Sequence, residues 1–132
     1  MIGLDTNFLL RYLLNDDPNQ SSRARRILDR RLTEEEPGFI SLVTMAETVW
    51  VLDRTYKFSN REIAYAIENL LEATNLVVQN EIEVFNAMIA LRNDQGSFDD
   101  ALIAALGLWA GCTSTLTFDK KTSRLQGFQL IS

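Results

Sequence analysis

Five short runs of strand-type residues recur along this chain, with longer segments at helical spacing between them. That alternation points to an α/β domain with a mostly parallel sheet. The runs are Met1 to Leu4, Gly38 to Ser41, Leu76 to Gln79, Thr113 to Thr117 and Phe128 to Ile131. Ser59 with Glu62, and Asn80 with Glu83, each set a capping side chain three residues before a carboxylate, so each opens a helix. Pro18 closes a first helical segment, Asn7 to Leu14, and a second runs from Asn19 or Gln20 to Leu32. In that second segment Ala24, Ile27, Leu28 and Leu32 form the apolar stripe. Arg23, Arg26 and Arg30 lie on its other faces, where a solvated surface is a plainer reading than contact with nucleic acid. With 132 residues, no long linker and no repeat, residues 1–132 are expected to form a single domain.

Absent residue types narrow the chemistry. The chain has no histidine and one cysteine, Cys112, so a Cys/His zinc site and an intrachain disulfide are both excluded. A general acid or base must then be a carboxylate, lysine, tyrosine, the cysteine or metal-bound water. The unpaired cysteine fits a reducing, cytoplasmic setting. No basic leader precedes Asp5, and the longest polar-free run, Ala101 to Gly111, is well short of the roughly 20 residues a membrane helix needs. The net charge of -5 argues against a protein that coats nucleic acid, yet leaves room for an enzyme with local basic patches.

Four acids stand out by position. Asp5 follows Ile2-Gly3-Leu4, just beyond the carboxyl end of the first strand, which is the edge where open α/β sheets bind ligands. Taken alone, it reads first as the cap of the next helix. Glu47 lies between Val43, Trp50 and Val51, an apolar stripe on which a carboxylate would be costly to desolvate without a partner; Thr44 with Glu47 also has capping-box spacing. Asp99 and Asp100 precede Ala101 to Gly107, a helix without a polar face, expected to be buried on most sides. Capping accounts for one of these two acids, and the small residues Ala104 and Gly107 allow a close approach to the sheet. Asp119 ends the fourth strand, where an ordinary polar turn is the simpler explanation. Gathered at one sheet edge, such carboxylates would repel one another unless hard cations neutralised them. Oxygen-only ligation selects Mg²⁺ or Mn²⁺, and a site of that kind suits phosphodiester hydrolysis.

Leu4-Asp5-Thr6-Asn7, the stretch Arg11 to Pro18, Glu47 with Val49-Trp50-Val51-Leu52, Phe98 to Ala105, and Leu116-Thr117-Phe118-Asp119-Lys120 together cover nearly the whole chain. In order and spacing they resemble PIN-domain nucleases, and specifically VapC-like toxins of toxin–antitoxin pairs. The resemblance implies a three-layer α/β/α fold with a central five-stranded parallel sheet in the order 3-2-1-4-5. It assigns the catalytic and metal-binding acids to Asp5, Glu47, Asp100 and Asp119. Asp100 is chosen over Asp99 because it stands three residues before Ile103. Thr6, Asn7 and Thr117 are implied as supporting polar residues. The implied activity is Mg²⁺- or Mn²⁺-dependent endoribonuclease cleavage leaving a 5′ phosphate and a 3′ hydroxyl. The implied partners are RNA, a second copy of the chain, and a VapB-like antitoxin whose tail lies in a helical groove. Leu9, Leu10, Tyr12, Leu13 and Trp50 could line that groove, although core packing accounts for most of them.

A non-catalytic phosphoacceptor or binding module on a similar sheet is the alternative. A phosphoacceptor calls for an acidic pair after the first strand and an Asp after the third. Here Asp5 has no acidic neighbour, and the third strand ends in Gln79-Asn80.

Overall fold

Five of the six helices begin where a short side chain takes up an orphan backbone donor. The computed structural model describes residues 1–132. Asp5 caps α1 (Thr6–Leu14) by accepting from Phe8 N, and Asp17 caps α2 (Pro18–Arg26) by accepting from Gln20 N. Ser41 caps α3 (Leu42–Arg54), Ser59 caps α4 (Asn60–Glu72), and Ser97 caps α6 (Phe98–Trp109). At Ser59 the capping box is complete, since the Glu62 carboxylate also accepts from Ser59 N at 2.9 Å. Hydrogen bonding to its carboxylate, from the Ser59 backbone N–H first and then from the Ser59 hydroxyl, holds the Glu62 carboxyl below the usual range.

Three local expectations are corrected. Pro18 opens α2 at its first position, where its missing N–H costs nothing; α1 is ended instead by Asn15, whose φ of 55° is left-handed. Asn80 before α5 (Glu81–Arg92) is also left-handed and makes no cap bond to the backbone. Its amide donates instead to the Glu83 side chain at 3.0 Å. After α2 the chain widens into a π-helical turn, Ile27–Arg31, closed by Leu32 N donating to Ile27 O at 3.1 Å.

All five expected strands are present, each trimmed: β1 (Ile2–Gly3), β2 (Gly38–Ile40), β3 (Leu76–Val78), β4 (Thr115–Thr117) and β5 (Phe128–Leu130). They pair in parallel, but as a three-stranded sheet in the order β1-β2-β3 and a separate β4-β5 pair. The expected order is kept inside each group, while the central five-stranded sheet is not formed by these ladders. β1 is two residues long, and its flanking amides, Ile2 N and Leu4 N, donate to Pro37 O and Phe39 O on the β2 side. Asp5 follows the carboxyl end of β1, and Asp119 follows that of β4.

A cluster of 23 buried side chains unites the sheet with the helices, including Ile40 from β2, Met45 and Leu52 from α3, Ile67 from α4, Met88 from α5 and Phe98 from α6. Gly38 packs closely against it: a Cβ there would stand 2.8 Å from Leu4 and 2.9 Å from Leu32. Gly107 gives α6 its close approach to β4, since a Cβ would meet the Thr115 hydroxyl at 2.8 Å. Within the stretch expected to be buried on most sides, Ala101, Leu102 and Ala104 are buried and Ile103 is exposed, and Leu108 and Trp109 beyond it are exposed as well. No helix is long and apolar enough to cross a membrane.

Candidate active site

The first acid group forms where α1 meets α3. Asp5 sits two residues beyond β1 and spends its Oδ1 on Phe8 N at 2.8 Å, so the capping reading of this residue holds. Capping leaves its second carboxylate oxygen uncommitted. The next residue, Thr6, donates its hydroxyl to Glu47 Oε1, joining the start of α1 to the middle of α3. Because Ser41 caps α3, Glu47 is interior to that helix and is not part of a capping box with Thr44. Gln79, at the carboxyl end of β3, accepts from Leu42 N at 2.9 Å and ties the start of α3 to the sheet edge. The anticipated desolvation of Glu47 does not arise: the residue is exposed, with Val43 and Trp50 beside it also exposed.

The second group joins α6 to the loop after β4. Ser97, not either aspartate, caps α6 by accepting from Asp100 N at 3.1 Å, so the capping explanation offered for Asp99 or Asp100 fails. The spacing of Ser97 to Asp100 is that of a capping box and was the available sequence signal. Thr122 donates to Asp100 Oδ2 at a long 3.4 Å, while its backbone N–H donates to Asp119 Oδ1 at 3.2 Å. Asp119 also accepts from Lys121 N at 2.8 Å, so it organises a polar turn as well as facing Asp100 through Thr122. Thr117 supports Asp119 through the backbone, accepting from Asp119 N at 3.0 Å. Thr122 escapes sequence reading because its link to Asp100 spans 22 positions.

The four acids therefore fall into two threonine-centred groups: Thr6, next to Asp5, bonds Glu47 through its hydroxyl, and Thr122 bonds Asp100 through its hydroxyl and Asp119 through its backbone N–H. No three acids lie close enough to ligate one metal ion together. Asp5 faces a crevice of about 270 Å³ with Asn7, Arg11, Gln20 and Arg23. Asp100 faces a different crevice of about 430 Å³ with Trp50, Asp53, Arg54, Asp99 and Lys121. Of the proposed groove residues, Leu9 and Leu10 are buried in the core and Tyr12 and Leu13 pack against it, which leaves Trp50 as the exposed one.

The family model for the PIN domain matches residues 2–127, spanning both acid groups and every element between them. The chain belongs to the PIN-domain family. PIN domains are generally nucleases, hydrolases that typically use divalent metals. No curated protein matches the chain.

This PIN domain fits a divalent ion by the chemistry of its donors, which are carboxylate and hydroxyl oxygens on accessible side chains. Small hard cations retain several waters and take only one or two carboxylates directly, so either acid group supplies enough direct ligands without an all-protein cage.

Asp99 reports the field beside Asp100. Burial first, then the charges of Asp100 and Asp53, raise its carboxyl above the usual range, with Arg54 opposing. Folding therefore disfavours the charged form of Asp99. The associated stability is present below the unfolded carboxyl value and is lost as pH rises through the raised folded one. Asp99→Asn should melt above wild type at neutral pH, with the difference disappearing in acid. Thermal unfolding of both proteins across that range checks it, and a difference independent of pH would contradict the electrostatic cause.

Proposed function

We propose that this chain is a divalent-metal-dependent endoribonuclease, acting with Mg²⁺ or Mn²⁺ as the toxin of a VapBC-type pair in the cytoplasm. The observation that carries the reading is the pairing of acids through hydroxyl residues beside strand ends: Thr6 with Glu47 next to Asp5, and Thr122 between Asp100 and Asp119. Asp5 with Glu47 in one group, and Asp100 with Asp119 in the other, would hold the metal ions. Bound there, such an ion would activate water for in-line attack on phosphorus and offset charge on the leaving oxygen. The chain's own residues do the positioning. Thr6 orients Glu47, Thr122 orients Asp100, and the amides of Lys121 and Thr122 hold Asp119. Asn7 lies beside Asp5 in the same crevice and offers a polar contact to substrate. With no histidine in the chain, protons pass to carboxylates or water.

Phe118 supports a single-stranded substrate. Its ring is 83% exposed immediately before Asp119, a surface on which an unpaired base can stack. Val43 and Trp50, four residues before and three after Glu47, are 74% and 51% exposed. They support an antitoxin segment that lays apolar side chains on α3 and brings a basic one to Glu47. Exposed Ile82, Phe85 and Trp109 on α5 and α6 support a homodimer through a separate face. Masses of the chain alone and with its partner read both associations, and full activity in the partner complex would remove the inhibitory role.

The deciding experiment is cleavage of RNA by the purified protein with Mg²⁺ or Mn²⁺ and in excess EDTA. Cleavage is expected only with the ion. Undiminished cleavage in EDTA would defeat the metal-dependent reading.

A further inference from the structure

Five of the thirteen basic residues fall within nine positions, as Arg23, Arg25, Arg26, Arg30 and Arg31. All five are exposed, on α2 and the π-helical turn that continues it. The chain has more acids than bases, yet none of the five is in an ion pair; the salt bridges are Arg11–Asp16, Arg54–Asp53 and Arg92–Glu68. Arg25 lies over the Tyr12 ring, 5.5 Å from its centre. Arg23, Arg26 and Arg30 follow helical spacing, opposite the buried Ser21, Ala24 and Leu28. A π turn advances less around the axis per residue than an α turn, so Arg30 and Arg31 stay beside Arg26 instead of rotating toward the buried row. Asp29 is the one acid within the segment.

This row reaches the candidate site. Arg23 lines the crevice that holds Asp5, together with Arg11 and Asn7. Exposed guanidinium groups without carboxylate partners are free to make bidentate bonds to phosphate oxygens. A repeating row of them matches a repeating phosphodiester chain better than it matches a single small anion.

We propose that the arginine row of α2 and the π turn is the track for the substrate's phosphate backbone, with Arg23, Arg26 and Arg30 holding the strand that enters the Asp5 crevice. This rests on the nuclease reading for its purpose, although the binding itself is independent of cleavage. The row also accounts for how a chain of net charge -5 would hold a polyanion: five of its thirteen basic residues stand together on α2 and the π turn.

The test is binding of a fluorescent single-stranded oligoribonucleotide in EDTA, followed by anisotropy over a series of salt concentrations. Arg26→Gln with Arg30→Gln should weaken binding and reduce the log–log salt slope by about 1.4, the value for two lost single-strand phosphate contacts. Lys57→Gln with Arg61→Gln removes the same charge elsewhere and should change the slope far less. Arg26→Lys with Arg30→Lys keeps the charge and should restore most of the slope, which separates lost contacts from misfolding. The proposal is overturned if the Arg26/Arg30 pair binds like wild type, or if the Lys57/Arg61 pair loses as much. Equal binding of a single-stranded DNA of the same sequence would support it, since phosphates are the groups contacted. Wild type that binds through the row but never cleaves with Mn²⁺ would overturn the nuclease reading alone.

Discussion

Asp5→Asn and Asp119→Asn are each expected to slow RNA cleavage about a hundredfold or more, because losing a charge at a metal site costs about 3 kcal/mol of transition-state stabilisation. The substitution isolates charge in both places. Asp5 accepts from Phe8 N, and Asp119 accepts from Lys121 N and Thr122 N, all through Oδ1. An asparagine carbonyl can take the same bonds, and Asn caps helices about as well as Asp. Unfolding transitions should therefore stay close to wild type while rates fall. Asp5→Ala would add a stability loss of roughly 0.5–2 kcal/mol from the missing cap. Rates and denaturation curves measured on the same preparations separate the two effects. Near-normal cleavage by both Asn variants would take these residues out of the site.

The largest stability loss is expected at Phe98. Its side chain is 2% exposed, and it is the first residue of α6, directly before Asp99 and Asp100. Phe98→Ala should cost about 3–5 kcal/mol, the transfer of the ring plus the cavity it leaves. For a chain of this size that corresponds to a fall in Tm of roughly 10–20 °C. Urea unfolding measures the cost directly, and a loss below about 1 kcal/mol would contradict the packing described. The consequence reaches the site, because Phe98 anchors the end of the helix from which Asp100 meets Thr122.

Much of this molecule is local and was therefore legible in the chain. The five strands follow from short apolar runs, and the Ser59–Glu62 capping box from a spacing of three, since both depend on backbone geometry within a few residues. Asn80–Glu83 has the same spacing, yet Asn80 adopts a left-handed backbone and bonds the Glu83 side chain. A short motif thus states which bonds are available, and the path of the chain chooses among them. The resemblance to PIN domains was likewise carried by stretches of consecutive residues, and the family match bears it out.

Tertiary structure decided the rest. The contact of Thr6 with Glu47 spans 41 positions and that of Thr122 with Asp100 spans 22, so neither is encoded by a local period. Apolar residues beside Glu47 suggested a buried carboxylate, but α3 buries Met45, Thr48, Val49 and Leu52 and turns Val43, Glu47 and Trp50 to solvent. Sequence alone placed Asp5 and Asp119 at strand ends, Glu47 on a helix and Asp100 at the start of one. The bonds that bring them together cross between distant elements, and the strands pair as two ladders instead of one sheet. Periodicity determines which face of an element is apolar; only packing determines which element covers that face and which polar groups then meet.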